Sequence, residues 1–127
     1  MGQYLIDNNV ISNYFSGFFS EPAMVFIGEL VDNIPNISVI TEIEALSWVN
    51  RDKSKEKIVQ DFIKECNILT ISPDIVHQCV RIRRSRKMKT PDAIIAATAI
   101  VNGLSLVTDD QGFAGINGLK TINPISL

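Results

Sequence analysis

The chain has 127 residues, 46% of them hydrophobic and 20% charged, a composition that is typical of folded globular proteins and excludes a disordered one. Its length suits a single domain over residues 1–127 and leaves little room for a second. The net charge of -2 excludes a general attraction to nucleic acid, so any such attraction must come from a local basic patch.

Neither a secretory leader nor a membrane anchor is predicted. The first residues lack a basic segment followed by an apolar one, and no apolar run reaches the ~18 residues that a membrane span needs. The two cysteines, Cys66 and Cys79, have no metal-site spacing and are predicted to be reduced thiols. We therefore expect a cytoplasmic protein that does not contact a membrane.

In the first half of the chain, short apolar runs alternate with segments whose apolar residues recur at helical spacing. The runs predict strands at residues 4–6 and 37–40. The amphipathic segments predict helices at residues 9–17, 20–31 and 41–49.

The second half repeats this alternation, with strands predicted at residues 68–71, 104–107 and 121–122, and helices at 54–66, 72–86 and 93–102. Two of these helices have a start signal with proline in the first turn, Ser72-Pro73-Asp74 and Thr90-Pro91-Asp92. Strands that alternate with helices predict an α/β fold. We expect a three-layer α/β/α sandwich with a mostly parallel sheet of four or five strands.

Four acidic residues lie just after predicted strands or early in predicted helices: Asp7, Glu44, Asp92 and Asp110. An α/β sheet brings such positions together at one edge, outside the carboxyl ends of its strands. At about 4 Å and an effective dielectric constant of roughly 20, each pair of carboxylates repels by about 4 kcal/mol. Divalent cations would neutralise this cluster, so the pattern predicts a Mg²⁺- or Mn²⁺-dependent phosphoryl-transfer site, most simply a nuclease.

Each acid also has a structural alternative. Asp7 could cap the next helix, although Asn9 could do so instead. Glu44 could complete a capping box that begins at Thr41, and periodicity does not decide whether Glu42 or Glu44 faces inward. Asp92 could complement a helix dipole, and the adjacent acids at 109 and 110 could belong to an ordinary turn.

A basic run precedes Asp92 and contains six of the chain's 12 lysine and arginine residues: Arg81, Arg83, Arg84, Arg86, Lys87 and Lys89. Cations at a helix end complement the dipole, but this accounts for two or three of them. The run is therefore predicted to bind phosphates beside the acidic site. Few exposed aromatic residues are expected to be placed for base stacking. The apolar cluster of Tyr14, Phe15, Phe18 and Phe19 is either core or a partner surface. His77, the only histidine, is predicted to be structural.

Four motifs follow one another along nearly the whole chain: Tyr4-Leu5-Ile6-Asp7-Asn8-Asn9-Val10-Ile11-Ser12, Ser38-Val39-Ile40-Thr41-Glu42-Ile43-Glu44, Thr90-Pro91-Asp92-Ala93-Ile94-Ile95-Ala96-Ala97-Thr98-Ala99 and Val107-Thr108-Asp109-Asp110. Together they resemble the PIN-domain family, and within it the VapC-like toxins of bacterial toxin–antitoxin pairs. The resemblance implies cleavage of RNA with Mg²⁺ or Mn²⁺, a homodimer, and inhibition by a co-expressed antitoxin.

The resemblance also implies roles for single residues. Asp7, Glu44, Asp92 and Asp110 match the family's acidic positions, with Glu44 preferred over Glu42 and Asp110 over Asp109, while Asn9 and Thr108 match polar residues that support the site. The basic run would then contact RNA. Two positions depart from the family pattern: Asn8 stands where threonine is usual, and Gly112 stands where many members have a further aspartate, which puts a second cation in doubt.

Three other functions compete with this interpretation. A phosphatase of the haloacid dehalogenase type needs a second aspartate where this chain has Asn9, and a lysine after a middle strand that is not evident. A receiver domain needs an aspartate after a middle strand, where this chain has Thr70-Ile71-Ser72-Pro73. A catalytically weak module that binds RNA or protein on the same fold remains compatible with Gly112.

Overall fold

The computed structural model describes residues 3–127; Met1 and Gly2, the first two residues of the predicted domain, lie outside the described residues. The strands within this range are β1 (Tyr4–Ile6), β2 (Asn36–Ser38), β3 (Asn67–Leu69), β4 (Ser105–Val107) and β5 (Thr121–Ile122). The α-helices are α1 (Asn8–Phe15), α2 (Glu21–Val31), α3 (Val39–Leu46), α4 (Lys53–Glu65), α5 (Pro73–Ser85) and α6 (Thr90–Val101). Short 3₁₀ turns occupy Gln111–Phe113 and Pro124–Ser126.

The strands form one sheet in the order β3-β2-β1-β4-β5, and every neighbouring pair is parallel. The predicted α/β fold is confirmed, with all five strands present, including the short one at residues 121–122. The chain order reverses between β1 and β4, which are direct neighbours in the sheet. In parallel sheets the crevice at such a reversal, outside the carboxyl ends of the strands, is where ligands bind.

Two apolar cores cover the two faces of the sheet, because successive strand residues point to opposite sides. Leu5 and Leu106 face the core that includes α5 and α6. Ile6 and Val107 face the other core, which takes residues from α1, α2, α3 and α4. The sheet is therefore the middle of three layers, as predicted.

Helix α6 is apolar on nearly every side and is buried between α5 and the sheet. Its alanines at positions 93, 96, 97 and 99 are each 0% exposed, and such small side chains allow close approach of neighbouring elements. The helix therefore fixes the position of Asp92 in its first turn. Among residues 3–127, no helix has the length and apolar character required to cross a membrane.

Two strand boundaries were predicted wrongly. Residues 39 and 40 belong to α3 and not to β2, because the buried Ser38 hydroxyl accepts a hydrogen bond from the Thr41 amide at 3.1 Å and so caps the helix. Similarly, β3 ends at Leu69 because its partner strand β2 ends at Ser38, with which Leu69 is in register. The helix start predicted at Ser72-Pro73-Asp74 is confirmed, since the Ser72 hydroxyl accepts from the Ile75 amide and caps α5.

Candidate active site

Four carboxylates lie at the carboxyl end of the sheet, near the reversal between β1 and β4. Asp7 directly follows β1, Asp110 follows β4, and Asp92 lies in the first turn of α6. The charges of Glu44 and Asp92 both raise the pKa of Asp7; Asp92 also raises the pKa of Glu44, and Asp110 raises that of Asp92. Asp92 is thus the acid whose charge is coupled to each of the other three.

Asp7 is buried and has two hydrogen-bonding partners. Its Oδ1 accepts from the Asn8 amide at 2.9 Å, and its Oδ2 accepts from the Thr108 hydroxyl at 2.8 Å. The cap of α1 is therefore Asp7, and the suggestion that Asn9 could cap it instead was wrong. Burial raises the pKa of Asp7 to about 6; the two hydrogen bonds oppose this rise, and the nearby acids add to it.

Thr108 joins the two acids that flank the β1–β4 reversal. Its buried hydroxyl donates to Asp7 and accepts from the Asp110 amide at 3.1 Å. Asp110 Oδ1 in turn accepts from the Gly112 amide at 2.8 Å, which closes the following 3₁₀ turn. A Cβ on Gly112 would lie 3.1 Å from this carboxylate oxygen, so glycine allows the tight turn here.

Asp109 has a different neighbour from Asp110. The Asn13 side-chain amide of α1 donates to Asp109 Oδ2 at 3.1 Å, which ties this carboxylate to the helix. The charge that raises the pKa of Asp92 comes from Asp110. This geometry favours Asp110 over Asp109 as the fourth member of the cluster.

Glu44 lies in the interior of α3, beyond the helix cap at Ser38. The capping-box alternative, in which Glu44 returns to Thr41, was therefore wrong, because Thr41 is already the third residue of the helix. Desolvation and the charge of Asp92 raise the pKa of Glu44. Desolvation and then Asp110 raise the pKa of Asp92, while Lys89 lowers it, so one end of the basic run reaches this cluster.

A sequence model of the PIN domain matches residues 4–119. The chain belongs to the PIN-domain family. This assignment covers all four acids and confirms the family resemblance predicted from the sequence motifs.

Solved structures similar to this PIN domain include a toxin-antitoxin complex from Klebsiella pneumoniae, with 32% sequence identity, 96% of this chain and 98% of the other covered, and a TM-score of 0.76. VapBC2 from Rickettsia felis bound to a promoter DNA fragment has 21% identity, coverage of 94% and 97%, and a TM-score of 0.77. FitAcB from Neisseria gonorrhoeae has 23% identity, coverage of 98% and 100%, and a TM-score of 0.77. Comparison with curated proteins gave no significant match.

The acids of this PIN domain suit a hard cation. Carboxylate oxygens are the ligands that Mg²⁺ and Mn²⁺ prefer. Burial, and to a smaller extent the charges of neighbouring acids, raise the pKa values of Asp7, Glu44 and Asp92, and a cation would relieve the repulsion between these charges. Within residues 3–127, no three acidic, histidine or cysteine side chains are spaced closely enough to be a finished ligand set. The carboxylates therefore sense one another's charge without forming a closed cage, and the donor chemistry fits the cation implied by the family.

The basic run divides into two kinds of residue. Arg86 donates to the backbone carbonyls of Ala114 at 3.1 Å and Gly112 at 3.5 Å, and Arg83 donates to that of Met88 at 3.2 Å. These two arginines therefore hold the turns that follow Asp110 and precede Asp92. The others are exposed: Arg81, Arg84, Lys87 and Lys89.

The remaining residues singled out in the sequence are Asn9, His77 and the two cysteines. Asn9 is exposed on α1, and among the hydrogen bonds of residues 3–127 none joins its side chain to a carboxylate, so its supporting role stays a prediction. His77 is exposed on α5. Both cysteines are free thiols; burial raises the pKa of Cys66 to about 12 and also raises that of Cys79. Sequence reasoning missed Asn13 and the turn-holding role of Arg86, since both depend on contacts between distant segments.

Proposed function

We propose that this PIN domain is an endoribonuclease that hydrolyses RNA phosphodiester bonds with Mg²⁺ or Mn²⁺. The observation that carries the proposal is the position of Asp92, coupled by charge to Asp7, Glu44 and Asp110 at the reversal of the sheet. That crevice is where parallel sheets bind ligands. Within the described part of the chain, the four acids do not each have a basic side chain beside them to neutralise their charge. Such a cluster favours a cation-dependent reaction over direct acid–base catalysis.

The four acids would hold the cation, which when bound supplies a Lewis acid for the phosphate and a water of lowered pKa. Thr108 would keep the two oxygens of Asp7 in fixed orientations and set its distance from the Asp110 backbone. Arg81, Arg84, Lys87 and Lys89 would bind the phosphates that flank the cleaved bond, because they are exposed cations and Lys89, the last of them, lowers the pKa of Asp92.

We further propose that the protein is the toxin of a toxin–antitoxin pair, is cytoplasmic and forms a homodimer. The 32% identity to a chain of a Klebsiella pneumoniae toxin-antitoxin complex, over 96% of this chain, supports the assignment. Expression of the chain alone should then slow bacterial growth. Co-expression with the protein from a neighbouring small reading frame should restore growth, and the Asp92→Asn variant should not slow it at all.

The nuclease proposal is tested with purified protein and a labelled single-stranded RNA. We expect cleavage with Mn²⁺ or Mg²⁺ and none with EDTA. Asp92→Asn should abolish cleavage because it removes the central acid. The control Asp109→Asn should retain it, because Asn13 ties that carboxylate to α1. Full cleavage in EDTA, or normal turnover by Asp92→Asn, would contradict the mechanism.

The same assay separates the competing functions. A dehalogenase-type phosphatase would release phosphate from a small monoester and leave the RNA intact. A non-catalytic binding module would retain RNA in a filter-binding assay without cleaving it under any metal condition. Either result, with correctly folded protein, would replace the nuclease assignment.

A further inference from the structure

A groove of about 600 Å³ opens beside the acidic cluster, between α1, α3 and α4. It shares Glu44 with the cluster, and Phe15, Trp48 and Ile58 form its apolar walls. These three side chains are 39%, 43% and 51% exposed. Pockets of about 300–1,000 Å³ take small organic groups, so the groove is large enough for a nucleoside.

The Phe15 ring of this groove packs against two other aromatic rings. The Phe15 ring packs edge-to-face against Tyr14 and against Phe62, with ring centroids 5.3 Å apart in each pair. Phe62 itself is buried in the core. Trp48 follows the end of α3, where its amide donates to the Ala45 carbonyl at 3.3 Å. The orientation of the Phe15 ring is therefore set before a ligand arrives, and Trp48 adds a second aromatic side chain to the groove.

The position of the groove relates it to the reaction. Trp48 follows the end of α3, the helix that carries Glu44, and both residues line the groove. Asn8, next to Asp7, also lines the groove, and Lys55 on α4 supplies a cation. An occupant of the groove would thus lie within one nucleotide of the carboxylates, with a positive charge available for a flanking phosphate.

We propose that this groove binds one unpaired base of the RNA substrate, stacked on Trp48 and Phe15, beside the bond that is cleaved. The inference rests on the proposed nuclease function and adds a substrate subsite to it. Aromatic faces stack on any base, so the groove selects single-stranded RNA over duplex RNA, whose bases are already stacked.

A base fits the groove better than an apolar peptide segment or a second copy of the chain. The lining contains polar side chains among the apolar ones: Asn8, Ser12, Ser16, Ser47 and Lys55. This mixture suits a ring with an apolar face and a polar edge. Glu44 of the acidic cluster is itself part of the lining, so an occupant of the groove lies beside a carboxylate of the site where substrate must bind.

Trp48 is the only tryptophan of the chain, so its fluorescence reports on the groove directly. The full chain is titrated in EDTA, without cleavage, with a single-stranded RNA oligonucleotide and with a duplex of the same length. We expect saturable quenching by the single strand and none by the duplex. Quenching by both, or by neither, would overturn the proposal even if the protein cleaves RNA with Mn²⁺.

Variants provide a second measurement that does not depend on Trp48 emission. In a fluorescence-anisotropy assay with labelled single-stranded RNA, Trp48→Leu and Phe15→Leu should each weaken binding at least about fivefold, the lower range for one stacked base. The matched controls Val49→Ala and Phe18→Leu alter exposed apolar residues outside the groove lining and should leave binding unchanged.

Two results would assign the groove to another occupant and overturn the proposal. If all four variants bind RNA equally, while Trp48→Leu alone loses co-purification with the neighbouring-frame protein, the groove belongs to a protein partner. If Trp48 emission changes with protein concentration in the absence of RNA, the groove is covered by a second copy. Failure of the nuclease proposal would instead show as absent cleavage by the unaltered chain under every metal condition.

Discussion

Both carboxylate oxygens of Asp7 accept hydrogen bonds, one from the Asn8 amide and one from the Thr108 hydroxyl. The charges of two other acids of the cluster, Glu44 and Asp92, also act on it. The hydrogen bonds favour the charged form, but burial and the neighbouring acids disfavour it more strongly. The result is a carboxyl group that the fold positions precisely and yet leaves with a raised pKa.

This raised pKa predicts how the stability of metal-free protein depends on pH. Because the pKa of Asp7 rises from 3.8 to about 6, the folded state binds its proton more tightly than the unfolded chain does between these pH values. The free energy of unfolding should therefore fall as the pH rises from about 4 to about 6, by up to about 3 kcal/mol. Urea denaturation in EDTA at a series of pH values measures this.

Asp7→Asn is the matched variant for this prediction. Its side chain can still accept from the Asn8 amide and can donate to the Thr108 hydroxyl, so the local structure is kept. The variant should lose the part of the pH dependence that comes from Asp7, keep the part that comes from Glu44 and Asp92, and be the more stable protein at pH 8. An equal slope in both proteins would show that Asp7 is not the group responsible.

We expect different kinetic effects from substitutions of Arg86 and Arg84, although these residues are only two positions apart. Arg86→Ala removes the donor to the Gly112 and Ala114 carbonyls, which loosens the turn that Asp110 caps. It should lower kcat roughly tenfold, about 1.4 kcal/mol in the barrier, with little change in KM. Arg84→Ala should instead raise KM and reduce the salt dependence of RNA binding by about one charge.

Steady-state cleavage rates at several salt concentrations, for both variants, separate these roles. If Arg86→Ala changes only KM and the salt dependence, as expected for Arg84→Ala, then Arg86 is a phosphate contact and not a positioning residue.

At the scale of the element, the sequence patterns predicted the helices and strands better than their ends. The apolar run at residues 37–40 suggested a strand because periodicity cannot distinguish a buried strand from the start of a buried helix. The deciding contact is the Ser38 cap, and a serine within an apolar run has no distinctive local signal. The same boundary excludes the capping-box role of Glu44, because α3 begins at Val39 and its cap is Ser38.

Substitution of the serine caps of α3 and α5 tests how much the start of α3 matters for activity. Ser38→Ala removes the acceptor for the Thr41 amide, and Ser72→Ala removes that for the Ile75 amide. Each should lower the free energy of unfolding by about 1 kcal/mol, with Ser38 at the upper end because it is fully buried. Only Ser38→Ala should also lower RNA cleavage, because α3 carries Glu44.

Denaturant midpoints and cleavage rates at a temperature where both variants are folded test this comparison. Equal losses of activity in the two variants would mean that general destabilisation, and not the position of α3, governs the rate.

At the scale of the whole molecule, the proximity of the acids could be predicted from the sequence, because the parallel topology of the sheet brings them together. Strand ends of a parallel sheet share one edge, so Asp7 and Asp110 meet there although they are separated by most of the chain. The groove beside Glu44 was not predictable in this way. It depends on how α1, α3 and α4 pack, and of the two aromatic residues that line it, Phe15 ends α1 and Trp48 follows the end of α3.

The same gathering of charge makes the folded state sensitive to cations. Bringing four carboxylates together opposes folding, and a cation that binds only the folded site relieves this repulsion. At a hundredfold excess over Kd, binding should stabilise the protein by about 2.7 kcal/mol. For a chain of this size, the melting temperature should then rise by roughly 10 °C.

Thermal unfolding with and without millimolar Mn²⁺, at constant ionic strength, measures this stabilisation. Asp92→Asn should melt at a higher temperature than the unaltered chain in EDTA, because it removes the central charge, and should respond little to Mn²⁺. Asp109→Asn should respond like the unaltered chain, because Asn13 ties its carboxylate to α1. If Mn²⁺ does not shift the unaltered chain, or shifts Asp92→Asn equally, the cation does not bind among these four acids.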